Sequence, residues 1–290
     1  MMVTQTHKNF YANIRMLEVL TNNNREGKMD KYSHKYDVIL DNMDLNEYRL
    51  RPISAIMYLQ DAFARFCATK KMAAYDLFPQ NLYWIVSEFN VEFTDNLPFW
   101  SEEITTEIWI SEITKLKTYT DFNLYYKDKI FAKGNACWFI LDQQTKRPAK
   151  TDLILEHFNV CPEFVLGEHK KFTLLNTQEK VREIVHKNNL SDLDFNNHVN
   201  NKSYINIAEA TSTNEFKKSH ALKTLNIKFN RESFLDDILI CSTYKTETPN
   251  AYVHKIMKNE ESICDIQTLW ENKSTQEDIL TYNLAVKTEK

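Results

Sequence analysis

Apolar and polar residues alternate along much of this chain, in two blocks separated by an irregular stretch. In the first block, residues 36–40 read as a strand. Pro52 then suits the first turn of a helix, where its missing N–H has no partner to lose and its φ is already helical. Ile53, Ile56, Met57, Phe63, Ala64 and Cys67 follow at helical spacing, with an apolar face that extends towards Met72. After this the period changes to two. Phe89, Val91 and Phe93 alternate within 84–93, and Pro98 ends that run. Ile104, Ile108 and Ile110 share one face of 104–110, and Phe122, Leu124 and Tyr126 alternate within 119–126. Lys127-Asp128-Lys129 reads as a hairpin turn before a strand over 130–141. Consecutive strands after one helix predict an antiparallel sheet packed against that helix.

Residues 145–171 are polar and irregular, with Pro148, Pro162 and Gly167, and read as a link between two domains. The order of elements then recurs. A strand over 181–187 precedes a polar stretch around Asp194, a helix from about Asn201, and strands over 224–229, 238–244, 252–257 and 262–270. The chain reads as one unit used twice. Asp44-x-Asn46-x-Tyr48 aligns with Asp194-x-Asn196-x-His198, and Val91-Glu92-Phe93-Thr94-Asp95 with Ile227-Lys228-Phe229-Asn230-Arg231. On this alignment Tyr48 stands where the second unit has His198, so the first unit has lost the proton-moving residue and kept the scaffold. Residues 1–28 are polar and lack a signal-peptide pattern. They are expected to be an extension outside the fold, with Met29 as the native start.

Composition narrows the function. The chain has 290 residues, enough for one large domain or two of ordinary size. Its 43% hydrophobic and 26% charged content is that of a soluble globular protein, and 17 Phe, 14 Tyr and 5 Trp supply sizeable cores. The longest apolar run, 136–141, fits a buried strand and falls far short of a membrane span. A net charge of −4 argues against a general nucleic-acid binder. The pairs Lys70-Lys71, Lys115 with Lys117, Lys146-Arg147 and Lys170-Lys171 read as solvated surface. Five Cys, at 67, 137, 161, 241 and 264, show neither metal-ligand nor redox spacing and read as reduced thiols in a cytoplasm. Three Gly, at 27, 134 and 167, leave no Gly-rich phosphate loop or dinucleotide fingerprint, which removes P-loop enzymes, kinases and Rossmann dehydrogenases. No metal cluster or redox cofactor is suggested.

The stretch that carries chemistry is Asp-Leu-Asp-Phe-Asn-Asn-His-Val-Asn-Asn-Lys-Ser-Tyr, residues 192–204. Asp194, Asn196 and His198 alternate, so an extended backbone would aim all three side chains one way. An imidazole moves protons near neutral pH, a carboxylate can fix its tautomer, and an amide can donate to a developing negative charge. Asn alone says little in a chain this rich in Asn, and a lone His in such a loop is usually structural or solvated. Asn200 and Asn201 suit a helix cap, which would leave backbone N–H groups available beside the motif.

The whole string Asp-x-Asn-x-His-Val-Asn-Asn-x-x-Tyr resembles the signature of the acyl-acyl carrier protein thioesterases of plants and bacteria. The resemblance runs from about residue 33 to the C-terminal region. It includes the Trp-led strand from Trp84, the Pro-Phe-Trp turn at 98–100, the Ala136-to-Arg147 segment, and Phe229-Asn230-Arg231-Glu232-Ser233 in place of the family's Tyr-Arg-Arg-Glu-Cys. It implies an α+β tandem double hotdog, each half an antiparallel sheet wrapped around a long helix. It also implies a catalytic set of Asp194, Asn196, His198 and Glu232. On residue type alone Glu232 reads as a surface strand carboxylate. Ser233 stands where some plant relatives carry a Cys once proposed as a nucleophile, which favours direct attack by water.

The implied function is hydrolysis of a fatty acyl thioester on acyl carrier protein, by a monomer or homodimer in the cytoplasm, with neither nucleic acid nor membrane as partner. Residues 29–165 would form the N-terminal hotdog domain with the acyl-chain pocket, lined from Ile53, Ile56 and Met57, and 166–290 the catalytic one. Either His198 or Glu232 would be the general base. Three alternatives stay open: an acyl-CoA thioesterase on the same scaffold, a hydroxyacyl dehydratase, and a non-catalytic acyl-binding module.

Overall fold

The computed structural model describes residues 30–44, 48–169, 171–194 and 196–273. The expected extension over 1–28 and Asn46 of the first Asp-x-Asn-x-Tyr string lie outside them. Ten strands form one antiparallel sheet: β1 (Lys31–Asp37), β2 (Leu82–Phe93), β3 (Glu103–Ile113), β4 (Thr118–Tyr126), β5 (Lys129–Asp142), β6 (Lys180–Lys187), β7 (His220–Phe229), β8 (Ile238–Lys245), β9 (Ala251–Lys258) and β10 (Glu261–Asn272). Their order is β1-β3-β4-β5-β2-β7-β10-β9-β8-β6. Counted outward from the β2–β7 seam, each half runs second strand, fifth, fourth, third, first. The seam register is centred on Asn90 opposite Asn226. A two-fold axis through that pair lays Val91-Glu92-Phe93 on Ile227-Lys228-Phe229, the alignment offered by sequence.

Each half inserts its helix between its first and second strands. In the first half this is α1 (Ala55–Thr69), entered through a short 3-10 turn at Pro52–Ser54. Ile56, Leu59, Phe63, Phe66 and Cys67 form its buried stripe. Ala64 was expected on this face but lies on the solvent side, and Met57 is half-buried. Phe63 stacks on Trp138 with ring centroids 4.0 Å apart and meets Trp84 edge-on at 5.2 Å. Aromatic pairs of this kind add about 1 kcal/mol each beyond the area they bury. Gly134 in β5 faces Asn90, and a Cβ there would lie 2.1 Å from the Asn90 carbonyl oxygen and 2.7 Å from Phe122 Cζ. Only a residue without a side chain lets β5 and β2 close there.

Some expected elements shift. The first strand is Lys31–Asp37, not 36–40, and Leu40–Asn42 is a 3-10 turn. β1 is a sheet edge whose Lys31 and Lys35 reach Glu163 and Glu103, so its polar content hid it. β7 likewise begins at His220, ahead of the expected 224. The second half's helix, α4 (Asn201–Glu209), has nine residues and is not the long helix expected. Three short α-helices, α2 (Ala74–Leu77), α3 (Asp152–His157) and α5 (Asn214–Ser219), and 3-10 turns at Phe78–Gln80 and Leu190–Asp192 complete the described elements.

The connection between halves is not a free link. It contains α3 and buries Ile154, Phe158 and Cys161. Its backbone is tied to the first sheet where Trp109 Nε1 donates to the Glu163 carbonyl at 3.0 Å and the Val165 N–H donates to Asp121 at 2.8 Å. His169 Nε2 lies 2.9 Å from Ser111 Oγ. Its polar, Pro-containing sequence gave no periodicity, because these ties are made by backbone groups and single side chains.

Candidate active site

The Asp194 stretch folds as a tight turn, not as the extended segment expected. Leu193 and Val199 form an antiparallel bridge, and the Asp194 N–H donates to the His198 carbonyl at 2.8 Å. Asn197 takes a positive φ of 61°, a conformation Asn tolerates better than most residues. The Asp194 carboxylate is occupied by the turn: Oδ1 accepts the N–H groups of Asn196 at 2.8 Å and His198 at 3.2 Å. It therefore does not fix the imidazole tautomer as expected. It shapes the loop that presents His198.

The carboxylate that does meet the imidazole is Glu232, whose Oε1 lies 3.3 Å from His198 Nδ1. The two side chains are 25% and 39% exposed, so the pair is open to a substrate arriving from solvent. Phe234 sits edge-on against the His198 ring, 5.3 Å between centroids. The adjacency has a backbone cause. Val199, next to His198, donates its N–H to the carbonyl of Ser233, next to Glu232, at 2.9 Å. Asn196 is exposed, and among the described residues no hydrogen bond joins its side chain to His198 or Glu232.

The helix α4 starts here as predicted, with Asn200 as N-cap accepting from the Lys202 N–H at 2.9 Å. The expected supply of free amides is largely spent. Val199 N–H goes to Ser233, Asn200 N–H to the Asp192 carbonyl, and Ser203 N–H to the Asn200 carbonyl. Among the amides of 199–203, that leaves Asn201 for an incoming oxygen.

Ser233 is fully buried and cannot act as a nucleophile from that position. Its Oγ is 2.8 Å from the Tyr204 hydroxyl and accepts from Asn188 Nδ2 at 3.2 Å. Its N–H donates to the same Tyr204 oxygen at 3.2 Å. Burial pushes the Tyr204 phenol up to about 12, so it stays a neutral hydroxyl. Tyr204 ends the motif quoted from the sequence but was given no role there. Asn188 carried no signal, because its partners are remote in sequence.

The first half has an equivalent loop. Met43 bridges Leu50, the Asp44 N–H donates to the Arg49 carbonyl at 2.7 Å, and the Leu50 N–H donates to the Pro98 carbonyl at 2.8 Å. Matching these bonds to those of the second half places Arg49, not Tyr48, where His198 stands, and Leu97 where Glu232 stands. The sequence alignment failed by one residue because the first loop is one residue longer between its bridge partners. Arg49 Nη1 donates to the Leu97 carbonyl at 3.1 Å, and its guanidinium lies over Phe99 at 4.2 Å. A guanidinium stays protonated in proteins and cannot take a proton from water.

Among the described residues no group of three or more His, Cys, Asp or Glu is placed to hold a metal ion. No helix among them is long and apolar enough to cross a membrane.

Two helix-bearing antiparallel sheets fused at a central seam define a double hotdog. Known proteins with this fold align along most of the chain. One is an acyl-ACP thioesterase from Bacteroides thetaiotaomicron, with a TM-score of 0.72 and 19% identity over 83% of this chain and 98% of that one. Another is the 12:0-ACP thioesterase from Umbellularia californica, with a TM-score of 0.74 and 16% identity over 85% and 99%. Residues 29–156 match the acyl-ACP thioesterase N-terminal domain and residues 176–272 the acyl-ACP thioesterase C-terminal domain. The chain belongs to the acyl-ACP thioesterase family. Among curated relatives, the chloroplastic oleoyl-acyl carrier protein thioesterase 2 of Arabidopsis thaliana is 26% identical over 226 residues, 73% of this chain and 58% of the relative. The chloroplastic palmitoyl-acyl carrier protein thioesterase of Gossypium hirsutum is 26% identical over 183 residues, 59% and 44%. The chain thus spans about half the length of the curated relatives it matches.

Proposed function

We propose that this protein hydrolyses fatty acyl thioesters borne on acyl carrier protein, giving the free fatty acid and the carrier thiol. The observation that carries the reading is the His198–Glu232 pair, open to solvent at the start of α4, in a chain of this family. For turnover Glu232, 3.3 Å from Nδ1, closes to accept the Nδ1–H of His198, which leaves the Nε2 lone pair to take a proton from water. The water oxygen attacks the thioester carbonyl, and the resulting oxyanion is met by the Asn201 N–H and the Asn196 side-chain amide. Collapse breaks the C–S bond, and the proton on Nε2 passes to the departing sulfur. A thiol with a pKa of about 8.5 leaves readily, so weak acid assistance suffices. Losing a single oxyanion donor costs about 100-fold in rate in comparable enzymes. Asp194 acts through the loop it holds. Water is the nucleophile, since Ser233 is enclosed.

Ile53 and Ile56, both buried, and half-buried Met57 on the 29–165 unit border the acyl chain in this reading, and 166–290 carries the chemistry. Five buried cysteines fit a reducing compartment, which we take to be the cytoplasm. A tandem arrangement already buries the surface that a hotdog dimer would share, so monomer and homodimer both complete the fold.

The test is steady-state hydrolysis of matched acyl-carrier-protein and acyl-CoA thioesters across chain lengths, with His198→Ala alongside. The reading requires preference for carrier-protein thioesters and a loss of about 100- to 10,000-fold in the variant. Preference for CoA would make it an acyl-CoA thioesterase. Acyl binding without turnover would make it a binding module.

A further inference from the structure

Tyr204 touches neither His198 nor Glu232 through any hydrogen bond, yet it is bound to the one segment that fixes their separation. Glu232 lies on a segment without regular structure after β7. Nothing in the sheet register fixes its side chain. Before Glu232 the segment is tied to β10, where the Asn230 and Arg231 N–H groups donate to the Ile263 carbonyl at 2.9 and 3.2 Å; after it, what fixes the segment is Ser233. Its carbonyl takes the Val199 N–H, its N–H goes to the Tyr204 oxygen, and its Oγ is hydrogen-bonded to the Tyr204 hydroxyl and accepts from Asn188. Asn188 Nδ2 also donates to the Phe234 carbonyl at 2.8 Å, so residues on both sides of the Ser233–Phe234 peptide are held. Asn188 itself is anchored, its N–H donating to the Asp237 carbonyl at 2.9 Å while its carbonyl accepts from Asp236 at 3.1 Å. All three side chains are buried: Asn188 is 1% exposed, Tyr204 3% and Ser233 0%. Water cannot replace a lost partner there, so the knot is either made or the segment moves.

We propose that Tyr204, with Asn188, is a positioning residue for the thioesterase reaction: through Ser233 it sets the distance between the Glu232 carboxylate and His198 Nδ1. This deepens the hydrolase reading and rests on it. It also assigns the residue at 233 a structural task, with its hydroxyl turned into the protein between the Tyr204 hydroxyl and the Asn188 amide. Among the described residues the phenol hydroxyl is the group that reaches both the N–H and the Oγ of Ser233. Removing it therefore undoes two of the ties at once, whereas removing the Ser233 hydroxyl leaves the N–H tie in place.

The experiment compares Tyr204→Phe, Ser233→Ala, Glu232→Gln and a remote core control, Ile256→Val, each in the full chain. Two quantities are read: kcat and KM on the best carrier-protein thioester, and the 15N shifts of the His198 imidazole at one fixed pH, which report the contact at Nδ1. A misplaced catalytic group costs about 10- to 100-fold, so Tyr204→Phe should lower kcat by that amount with KM within about twofold. Ser233→Ala should lose less than Tyr204→Phe. The Nδ1 shift in Tyr204→Phe should move towards that of Glu232→Gln, while Ile256→Val keeps the wild-type value. A wild-type Nδ1 shift in Tyr204→Phe overturns the proposal. So does a kcat loss in Ile256→Val equal to that of Tyr204→Phe at matched thermal stability. Should Tyr204→Phe not fold, the same two readings on Ser233→Ala decide it. The 15N shift does not depend on turnover: an inactive wild-type protein would sink the hydrolase reading alone.

Discussion

Arg49 lies over the Phe99 ring in the place where, across the pseudo-two-fold axis, His198 meets Phe234. One half thus offers an imidazole and a carboxylate at this corner, and the other a guanidinium held on the Leu97 carbonyl. The duplication kept the aromatic partner and the loop while the chemistry at the corner diverged.

From this follows a contrast between two substitutions. Arg49→Ala removes a charged hydrogen bond and a cation–π contact, and is expected to cost about 1–3 kcal/mol of stability. Turnover per folded molecule should stay within about twofold of wild type. Denaturant melts paired with kinetics at saturating substrate check it. A loss of kcat like that of His198→Ala would show that the first-half corner takes part in the reaction.

Asp194 should behave as a loop residue with a catalytic consequence. Asp194→Ala strips the acceptor from two backbone N–H groups at once. Hydrogen bonds to charged groups contribute about 1.5–3 kcal/mol each in favourable settings, and less in an exposed loop. The expected result is a fall of about 10- to 100-fold in kcat/KM, partly restored in Asp194→Asn, which keeps an acceptor oxygen at Oδ1. If Asn is no better than Ala, the carboxylate's charge rather than its acceptor geometry matters.

Gly134→Ala should abolish folding. Its Cβ would fall 2.1 Å from a backbone oxygen in the neighbouring strand, where no rotamer can relieve it. Expression and thermal melting report the outcome. A soluble variant that melts within a few degrees of wild type would show that β5 and β2 can move apart.

Acid stability should be limited in part by His254. Burial lowers this imidazole to about 4 from the ordinary 6.5, and its ring nitrogens meet the hydroxyls of Thr211, Thr243 and Thr268. The fold therefore prefers the neutral ring. The contribution is whole above pH 6.5 and is lost as pH falls towards 4, the loss reaching about 3 kcal/mol at the acid end. Asp121 has the opposite sign: burial raises it to about 6, so acidification favours its folded form. Denaturant unfolding of wild type and His254→Gln at pH 7 and pH 4.5 separates the two. The stability gap should narrow at the lower pH, and a constant gap would contradict the assignment.

Much of the sheet was legible because its strands have one buried and one half-solvated face. Phe89, Val91 and Phe93, or Ile104, Ile108 and Ile110, print that alternation directly. The Lys127-Asp128 turn was legible too, and both residues take the positive φ that a tight hairpin demands. Edge strand β1 and the tied connection over 158–169 were not, since polar side chains and backbone bonds hold them and no periodicity follows from that. The loop around Asp194 was misread for a related reason. Alternation at three positions says nothing about whether the backbone is extended when a carboxylate can capture its own neighbours' N–H groups.

By itself the sequence determined the doubled architecture and the helix that follows the Asn200 cap, and it offered His198 within a long motif; Glu232 entered only through the family resemblance. Periodicity, capping chemistry and that motif are each written within a few residues, whereas Glu232 lies far from His198 in the chain. The tertiary structure alone decided which carboxylate faces the imidazole, which first-half residue stands in its place, and what holds Glu232 still. Each of those is fixed by hydrogen bonds between segments remote in the chain, Val199 to Ser233, Leu50 to Pro98 and Tyr204 to Ser233. Such bonds leave no periodic trace, because a single buried donor and acceptor can be supplied by any segment that folding brings within 3 Å or so.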